Sequence, residues 1–374
     1  MRAFAHVRRI VIKIGTNLLS TDGGIDLNRI RDIAIQVSRL RKRGIEVILV
    51  SSGAIGMGAM ALGIEHKVKH IPLRQACAAV GQPLLMSAYE REFRERGVLI
   101  SQMLITRSNL NNRKSYLNLR ESVSTSLKLG IVPIFNENDT VSTKEIGNVF
   151  GDNDRMSAMI ASKIEADLLV ILTDIDGVYT ANPKTDPNAK LIPEIESLTD
   201  EIMEGAGAEG SVFGTGGMKT KMLACQIARD GGCGIIIAPG YEKDVLSRIL
   251  DGEEIGTYIH PARKISAKER WMLDAVPRGK IVVDDGAKCA LQNNASLLPS
   301  GIVDVKGSFV SGEVVLVVDE NGDAFLRAVP NFSSSELKAM LGHHSKDIEM
   351  VLGHGSRNRV VFRPEDTSPA SHDE

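Results

Sequence analysis

The chain has 374 residues, of which 43% are hydrophobic and 25% are charged, and its formal net charge is −2. This length is sufficient for two domains with sizeable cores. The nearly balanced charge gives no general indication of a nucleic-acid or membrane-surface partner.

Two features of the sequence indicate the compartment. Apolar runs of about 18 residues are absent from the sequence, and the N-terminus leads directly into a strand-like segment, so neither a transmembrane helix nor a signal peptide is predicted. The four cysteines are scattered without a CxxC pair and read as structural thiols in a reducing environment. We therefore expect a cytoplasmic protein.

Strand-like and helix-like patterns alternate through the first 240 residues. The strand-like runs lie at 8–14, 45–50, 98–106, 131–138, 167–174 and 234–240. Apolar residues recur at helical spacing between them, as from Leu27 to Leu40 and over 73–96, where Pro83 predicts a break. Apolar strands separated by helices are typical of a mainly parallel sheet covered on both faces. We predict a three-layer α/β/α fold with a mainly parallel open sheet.

The character of the sequence changes after residue 260. A charged stretch bounded by prolines contains the only tryptophan, Trp271, and short β-like segments separated by glycine turns follow it. The predicted organisation is a large α/β domain at 1–260, a linker at 261–277, a small β-rich domain at 278–364 and a disordered tail at 365–374.

Small, polar or charged residues follow several of the predicted strands. Because ligands of parallel sheets bind outside the carboxyl ends of the strands, these residues are candidates for a site. They are Lys13, Gly15, Thr16 and Asn17, then Ser52, Gly53 and Ala54, then Asn136, Asn138 and Asp139, and finally Thr173 and Asp174.

A glycine-rich segment, SVFGTGGMKTK at 211–221, precedes a helix-patterned run. Glycines let backbone amides turn toward an anion, the threonine and lysine side chains add donors, and the helix N-terminus adds a positive dipole. The spacing is not that of the Walker A motif. We predict that the segment binds a nucleotide polyphosphate; the alternative is a surface loop that caps a helix.

Five short motifs occur in a fixed order: VIKIGTN, SSGAIGMG, NEND, GDND and TGGMKTK. This ordered set resembles the amino-acid kinase family, and the β-rich C-terminal segment looks like a PUA domain. Each motif alone is weak, but the order and the appended domain together are specific. The resemblance implies a kinase that transfers the γ-phosphoryl group of ATP to a carboxylate, with Mg²⁺ carried by the ATP.

The resemblance implies catalytic roles for Lys13, Lys221 and Asp154. The lysines would approach the moving phosphoryl group from opposite sides and offset its charge, while Asp154 would hold both in place. The alternative for the GDND segment is a surface turn.

The resemblance also divides the binding residues into two sets. The ATP-binding set is Lys13, Gly15, Thr173, Asp174, Thr215, Gly216, Gly217, Met218, Lys219, Thr220 and Lys221. The substrate-binding set is Ser52, Gly53, Ala54, Asp139, Asp152 and Asn153. Ser52, Gly53 and Ala54 suit a carboxylate, and Asp139, Asp152 and Asn153 suit an ammonium group. The alternative for Ser52, taken alone, is a helix N-cap. No protein ligand for the metal is predicted.

The NEND and GDND pair and the PUA-like tail favour the branch of the family that phosphorylates the γ-carboxylate of L-glutamate, the first step of proline biosynthesis. That branch implies a homodimer or homotetramer, feedback inhibition by proline and hand-off of the product to glutamate-5-phosphate reductase. Compared with enterobacterial members of the family, the GNVFGDND loop has one additional residue. In the family this loop lies beside the glutamate site, so the resemblance leaves sensitivity to proline open. Another acid or nucleotide kinase of the same fold is the nearest alternative.

The PUA-like segment suggests an alternative from another class, an RNA-linked regulatory protein. From residue 277 onward the sequence has 10 Lys and Arg against 14 Asp and Glu, a net charge of −4. An RNA-binding module is expected to carry a basic patch, and Arg357, Arg359 and Arg363 form only a small cluster. The charge therefore argues against an RNA partner.

Overall fold

The computed structural model describes residues 2–21, 24–64, 68–106, 109–110, 113–141, 152–181, 183, 186–199, 202–203, 216–262, 266–344, 347–352 and 359–370. The chain forms two compact units, one of residues 1–110 and 114–264 and the other built on residues 265–374. No helix within the described ranges has the length and apolar character needed to cross a membrane.

An eight-stranded sheet with the order β5-β6-β4-β1-β7-β9-β10-β8 forms the centre of the first unit. Its strands are β1 (Arg9–Ile14), β4 (Glu46–Val50), β5 (Ile100–Ile105), β6 (Val132–Glu137), β7 (Leu168–Thr173), β8 (Glu194–Ile195), β9 (Gly234–Pro239) and β10 (Thr257–Ile259). Strands β2 (Ser20–Thr21) and β3 (Gly24–Ile25) pair antiparallel with each other in a separate two-stranded sheet. The neighbours from β5 to β9 pair in parallel, and β10 is antiparallel to β9. The predicted mainly parallel sheet is confirmed.

Helices cover both faces of this sheet. They are α1 (Thr16–Leu19), α2 (Leu27–Lys42), α3 (Ala54–Ala61), α4 (Ile71–Arg94), α5 (Arg113–Lys128), α6 (Asp152–Lys163), α7 (Gly216–Asp230) and α8 (Val245–Leu250). One core contains residues of α2, α4 and α8, and the other contains residues of α6 and α7. Successive strand residues point to opposite faces, so Ile10, Ile12 and Ile14 enter the first core while Val11 enters the second.

Helix α4 is continuous over 24 residues, with Pro83 inside it, so the predicted break is wrong. Tight packing against α3 accounts for the difference, because two glycines let the helix backbones touch. A Cβ on Gly81 would lie 1.8 Å from the carbonyl oxygen of Ala54, and one on Gly58 would lie 1.7 Å from that of Cys77. This contact fixes the start of α3 relative to the middle of α4.

The second unit is built on a five-stranded sheet with the order β12-β11-β13-β14-β15. Its elements are α9 (Ala267–Asp274), β11 (Gly279–Val283), α10 (Asp285–Gln292), β12 (Ile302–Gly307), β13 (Val315–Val318), β14 (Ala324–Ala328), α11 (Ser334–Ala339), α12 (Ile348–Leu352) and β15 (Thr367–Pro369). Alternate residues such as Ile281, Val283, Val315 and Val317 form its separate core.

The structure differs from the predicted boundaries of this unit at two places. The predicted linker contains α9, because the Ser266 side chain accepts a hydrogen bond from the Glu269 amide and Trp271 is buried. The predicted tail contains β15, which pairs antiparallel with β14 and buries Ser368. Disorder from residue 365 onward is therefore wrong for the described part of the tail, which ends at residue 370.

Candidate active site

Two lysines share one carboxylate at the carboxyl edge of the large sheet. Lys13 Nζ lies 2.6 Å from Asp154 Oδ1, and Lys221 Nζ lies 3.3 Å from Asp154 Oδ2. The Asp154 side chain is 2% exposed, and those of Lys13 and Lys221 are 8% and 15% exposed. Each ammonium group thus contacts a different oxygen of the same buried carboxylate.

The local sequence explains why these groups meet. Lys13 is two residues from Val11 on β1, so strand alternation directs it to the face covered by α6 and α7. Asp154 lies in the first turn of α6, where the helix dipole favours a negative charge. Lys221 lies in the second turn of α7. One strand and two helices on one face therefore supply the cluster.

The lysine–carboxylate cluster is electrostatically strained by burial. Desolvation lowers the pKa of Lys13 below the ordinary lysine value, the Asp154 charge opposes this shift, and the Lys221 charge adds to it. Burial also raises the pKa of the neighbouring Cys225 thiol, which stays neutral beside Asp154. With both lysines protonated, the cluster has a net charge of about +1 and suits an anionic ligand.

The predicted ATP-binding residues Gly15, Thr173 and Asp174 lie together beside this cluster. The Gly15 amide donates to the Leu172 carbonyl over 3.1 Å, which joins the ends of β1 and β7. Thr173 Oγ1 donates to Asp174 Oδ1 over 3.0 Å. Burial alone would raise the pKa of Asp174, but hydrogen bonds and the charge of Lys221 outweigh it and the pKa is lowered.

The glycine-rich segment is described only in part. Gly216 and Gly217 begin α7. The Met218 side chain is buried in the core beneath α6 and α7, so any contact of Met218 with a nucleotide would come from its backbone. Thr220 is half-buried one residue before Lys221. Thr215 and the side chain of Lys219 lie outside the described residues. The nucleotide roles of the segment stay predictions.

The predicted carboxylate site lies between β4 and α3. Gly53 is the N-cap of α3 with φ of +99°, a left-handed conformation that favours glycine, and Ala54 begins the helix. The Ser52 hydroxyl donates to the Ile14 carbonyl over 3.0 Å and is buried. Ser52 is therefore not the N-cap, and its side chain joins β4 to β1.

The remaining predicted substrate residues lie at the ends of β6 and α6. Asn153 Nδ2 donates to the Ser51 carbonyl over 2.9 Å, which brings α6 to the end of β4. Asp139 is half-buried two residues beyond β6, and Asp152 begins α6 with its side chain outside the described part. Ser52, Gly53, Ala54 and Asn153 are thus gathered around the ends of β1 and β4.

Helix α4 supplies residues that the sequence analysis did not identify. Tyr89 is fully buried, and its hydroxyl lies 3.0 Å from Ser51 Oγ. Gln82 Oε1 accepts from Asn136 Nδ2 over 2.7 Å, and Asn136 Oδ1 accepts from the Glu137 amide over 3.0 Å. Gln82 and Tyr89 are about two helical turns apart, so polar groups repeating on an otherwise apolar helix face were the available signal.

The arrangement is suited to stabilising an anion whose charge grows during reaction. Phosphoryl transfer depends mainly on positioning and on neutralising charge around the moving group, which two fixed ammonium groups supply. In the described part of the chain, no group of three or more His, Cys, Asp or Glu side chains could hold a metal ion.

Comparison with known proteins identifies the relatives of this chain. It is 46% identical over 367 residues to a glutamate 5-kinase of Methanosarcina mazei, covering 96% of this chain and 95% of that protein. It is 47% identical over 348 residues to a glutamate 5-kinase of Methanosarcina acetivorans, with coverage of 91% and 90%. For a glutamate 5-kinase of a Geobacter species the identity is 43% over 341 residues, with coverage of 90% and 91%.

Family models divide the chain in a way that parallels the two sheets. A model described as the PUA domain matches residues 279–352, which include β11 to β14. A model described as the amino acid kinase family matches residues 8–239, which include Lys13, Asp154 and Lys221. The chain therefore belongs to the amino acid kinase family and carries a PUA domain after its kinase region.

Proposed function

We propose that this protein uses ATP to phosphorylate the γ-carboxylate of L-glutamate, giving L-glutamate 5-phosphate in the first step of proline biosynthesis. The observation that carries the proposal is the shared Asp154 carboxylate between Lys13 and Lys221. It occurs in a chain that is similar over nearly its full length to proteins named glutamate 5-kinase.

The reaction is an in-line displacement at the γ-phosphorus of ATP. A γ-carboxylate oxygen of glutamate forms the new bond to phosphorus while the bond to the β,γ-bridging oxygen breaks, and ADP leaves with that electron pair. The attacking carboxylate is already ionised near neutral pH, so the step requires no general base. The residues of the site therefore act by orienting both substrates and by balancing charge.

Lys13 and Lys221 neutralise the oxygens of the transferring group, and Asp154 holds them at a fixed separation. Because both ammonium groups are largely buried, their interaction with phosphate oxygens is stronger than it would be in water. The Mg²⁺ carried by ATP would supply further positive charge at the phosphate oxygens. The cationic cluster fits a metal that is carried mainly by phosphate and water.

The substrate-binding residues would hold glutamate through its α-carboxylate and its α-ammonium group. The backbone amides at the start of α3 would bind the α-carboxylate. The Ser52 hydroxyl would join them only by giving up its hydrogen bond to the Ile14 carbonyl. Because Asn153 Nδ2 donates to the Ser51 carbonyl, its oxygen can accept from the α-ammonium group, and Asp139 would add charge complementarity. On the nucleotide side, Thr173, Asp174 and the glycine-rich segment would hold ATP.

We further propose a cytoplasmic homodimer or homotetramer that is inhibited by proline and passes its product to glutamate-5-phosphate reductase. These proposals rest on the resemblance to the family branch. None of the four cysteines, all of which lie in the described part of the chain, forms a disulfide, which agrees with a reducing compartment. We place the kinase domain within 1–260, and we place the PUA-like domain from 278 to at least residue 369, because β15 belongs to its sheet.

A hydroxylamine-trap assay tests the reaction, because hydroxylamine captures an acyl phosphate as a coloured hydroxamate. The assay would contain MgATP and, in separate reactions, L-glutamate, N-acetyl-L-glutamate or L-aspartate. We expect product with L-glutamate alone. Hydroxamate formed with another acid would retain the mechanism but reassign the substrate. No hydroxamate with any of the three acids would reject the proposed activity.

A further inference from the structure

The carboxylate of Asp174 is held at both oxygens. Asn17 Nδ2 donates to Asp174 Oδ2 over 2.9 Å, and Thr173 Oγ1 donates to Asp174 Oδ1 over 3.0 Å. Asn17 lies in α1, directly after β1, and Asp174 directly follows β7, the parallel neighbour of β1. The contact thus links the ends of the two central strands at the nucleotide side of the site.

Asn17 is itself held in place by groups from a third strand end. The Tyr241 hydroxyl donates to the Asn17 carbonyl over 3.1 Å. The Arg29 guanidinium lies 4.8 Å from the centre of the Tyr241 ring and donates to the Gly240 carbonyl over 2.9 Å. We refer to Arg29, Tyr241, Asn17 and Asp174 together as the nucleotide-side bridge.

The position of Asp174 relative to the lysines explains why its orientation matters. Its charge interacts with those of Lys13 and Lys221. A carboxylate that could rotate freely would be drawn toward these ammonium groups and would compete with phosphate oxygens for them. Hydrogen bonds to a charged acceptor are stronger than neutral ones, so the two bonds to Asp174 oppose this rotation.

We propose that Asn17 is a positioning residue for ATP, which fixes the Asp174 carboxylate so that Lys13 and Lys221 stay available to the triphosphate and Asp174 stays available to a nucleotide hydroxyl. This inference rests on the proposed function and concerns the nucleotide side alone. The Asn17 side chain donates to Asp174, and the Asn17 backbone carbonyl accepts from Tyr241. The side-chain amide of Asn17 is therefore the part of the bridge that acts directly on Asp174.

A double-mutant cycle tests the inference. The variants are Asn17→Ala, Asp174→Ala and the combination, with KM for ATP, KM for glutamate and calorimetric ATP affinity measured for each. Loss of a hydrogen bond to a charged group predicts about a tenfold weaker ATP interaction for Asn17→Ala. The glutamate KM should stay within about twofold, because the substrate residues lie on the other side of β1.

The combination separates a positioning role from a purely structural one. If Asn17 acts through Asp174, Asn17→Ala should have almost no further effect on ATP affinity in the Asp174→Ala background. Asn17→Asp keeps the side-chain size but replaces the donor with a second carboxylate, so it should weaken ATP binding at least as much as Asn17→Ala. Tyr241→Phe, which removes only the contact to the Asn17 carbonyl, should weaken it less.

The outcomes also distinguish this inference from the proposed function. ATP affinity within about twofold of the wild type for Asn17→Ala, or additive effects in the cycle, would overturn the positioning role. Calorimetry decides these outcomes even if the wild type forms no hydroxamate, a result that would reject the glutamate reaction alone. A wild type that fails to bind ATP would overturn both. Because the Asn17 side chain is exposed, its substitution should leave the fold intact, which circular dichroism checks.

Discussion

The nucleotide and substrate sides of the site are organised by hydrogen bonds of different kinds. On the nucleotide side, Asn17 and Asp174 are exposed and contact each other just beyond the ends of β1 and β7. On the substrate side, Ser51, Ser52 and Tyr89 are buried and bond to one another or to backbone groups. The comparison indicates that substrate-side changes should affect both folding stability and glutamate binding, whereas nucleotide-side changes should affect ATP alone.

The cluster between the two sides should give the largest effects. Lys13→Ala or Lys221→Ala should lower kcat by about 10²-fold or more, because each ammonium group offsets charge that develops in the transition state. The hydroxamate assay measures the loss, and circular dichroism checks the fold. Lys128→Ala, at the exposed end of α5, is the matched control and should retain normal turnover. Near-normal turnover in either cluster variant would remove that lysine from the mechanism.

Replacing the shared carboxylate should lower both turnover and stability. Asp154→Asn leaves two buried ammonium groups without their counter-charge, so we expect a loss of about 3–5 kcal/mol in the free energy of unfolding. Denaturant titration measures it. Asp154→Glu, which keeps the charge, should lose less stability than Asp154→Asn. An unchanged midpoint for Asp154→Asn would contradict a structural role for the ion pairs.

The stability deficit of Asp154→Asn should depend on pH. Asp154 raises the pKa of Lys13, so its loss should lower that pKa further below the unfolded value of about 10.4. The unfolded chain then binds more protons than the folded one between the two pKa values, and stability rises with pH there. The deficit relative to wild type should therefore shrink as pH rises from neutral toward about 10, and a constant deficit would contradict this explanation.

On the substrate side, Asp139→Ala should raise the KM for glutamate about tenfold if, as proposed, its charge faces the ammonium group. The KM for ATP is the internal control and should not change. An unchanged glutamate KM would place the ammonium site elsewhere.

Tyr89→Phe should give the smallest effect. The substitution removes one buried hydrogen bond to Ser51 while keeping the ring, so we expect about 1 kcal/mol lower stability and a glutamate KM raised about twofold. Thermal unfolding and steady-state kinetics measure the two quantities. A change in ATP affinity without a change in stability would contradict the division between the two sides.

The sheet could be predicted because it rests on local signals, whereas the lysine–carboxylate cluster was expected only from the resemblance to the amino-acid kinase family. Continuous apolar strands indicate parallel pairing, and the alternation along β1 accounts for the burial of Lys13. The hydrogen bonds that support the site join residues far apart in the chain. Asn17 and Asp174 are separated by 157 residues, and Asn136 and Gln82 by 54 residues, so no local pattern predicts them.

The local signals also failed in instructive ways. Pro83 predicted a break in α4, but tertiary packing at Gly81 maintained one helix. The polar C-terminal stretch predicted disorder, but its backbone extends a sheet through β15, and such pairing depends little on side-chain type. In both cases a distant partner outweighed the local preference.

The contact between α3 and α4 has a consequence for directed evolution of this enzyme. Because a methyl group at Gly58 or Gly81 would overlap a neighbouring backbone, these positions should reject every other amino acid in a mutational scan. Val80 and Leu84 lie on the same helix as Gly81 but are 39% and 43% exposed, so they should accept many polar replacements. A library aimed at altered acid preference should keep the two glycines fixed and direct its diversity to the strand ends.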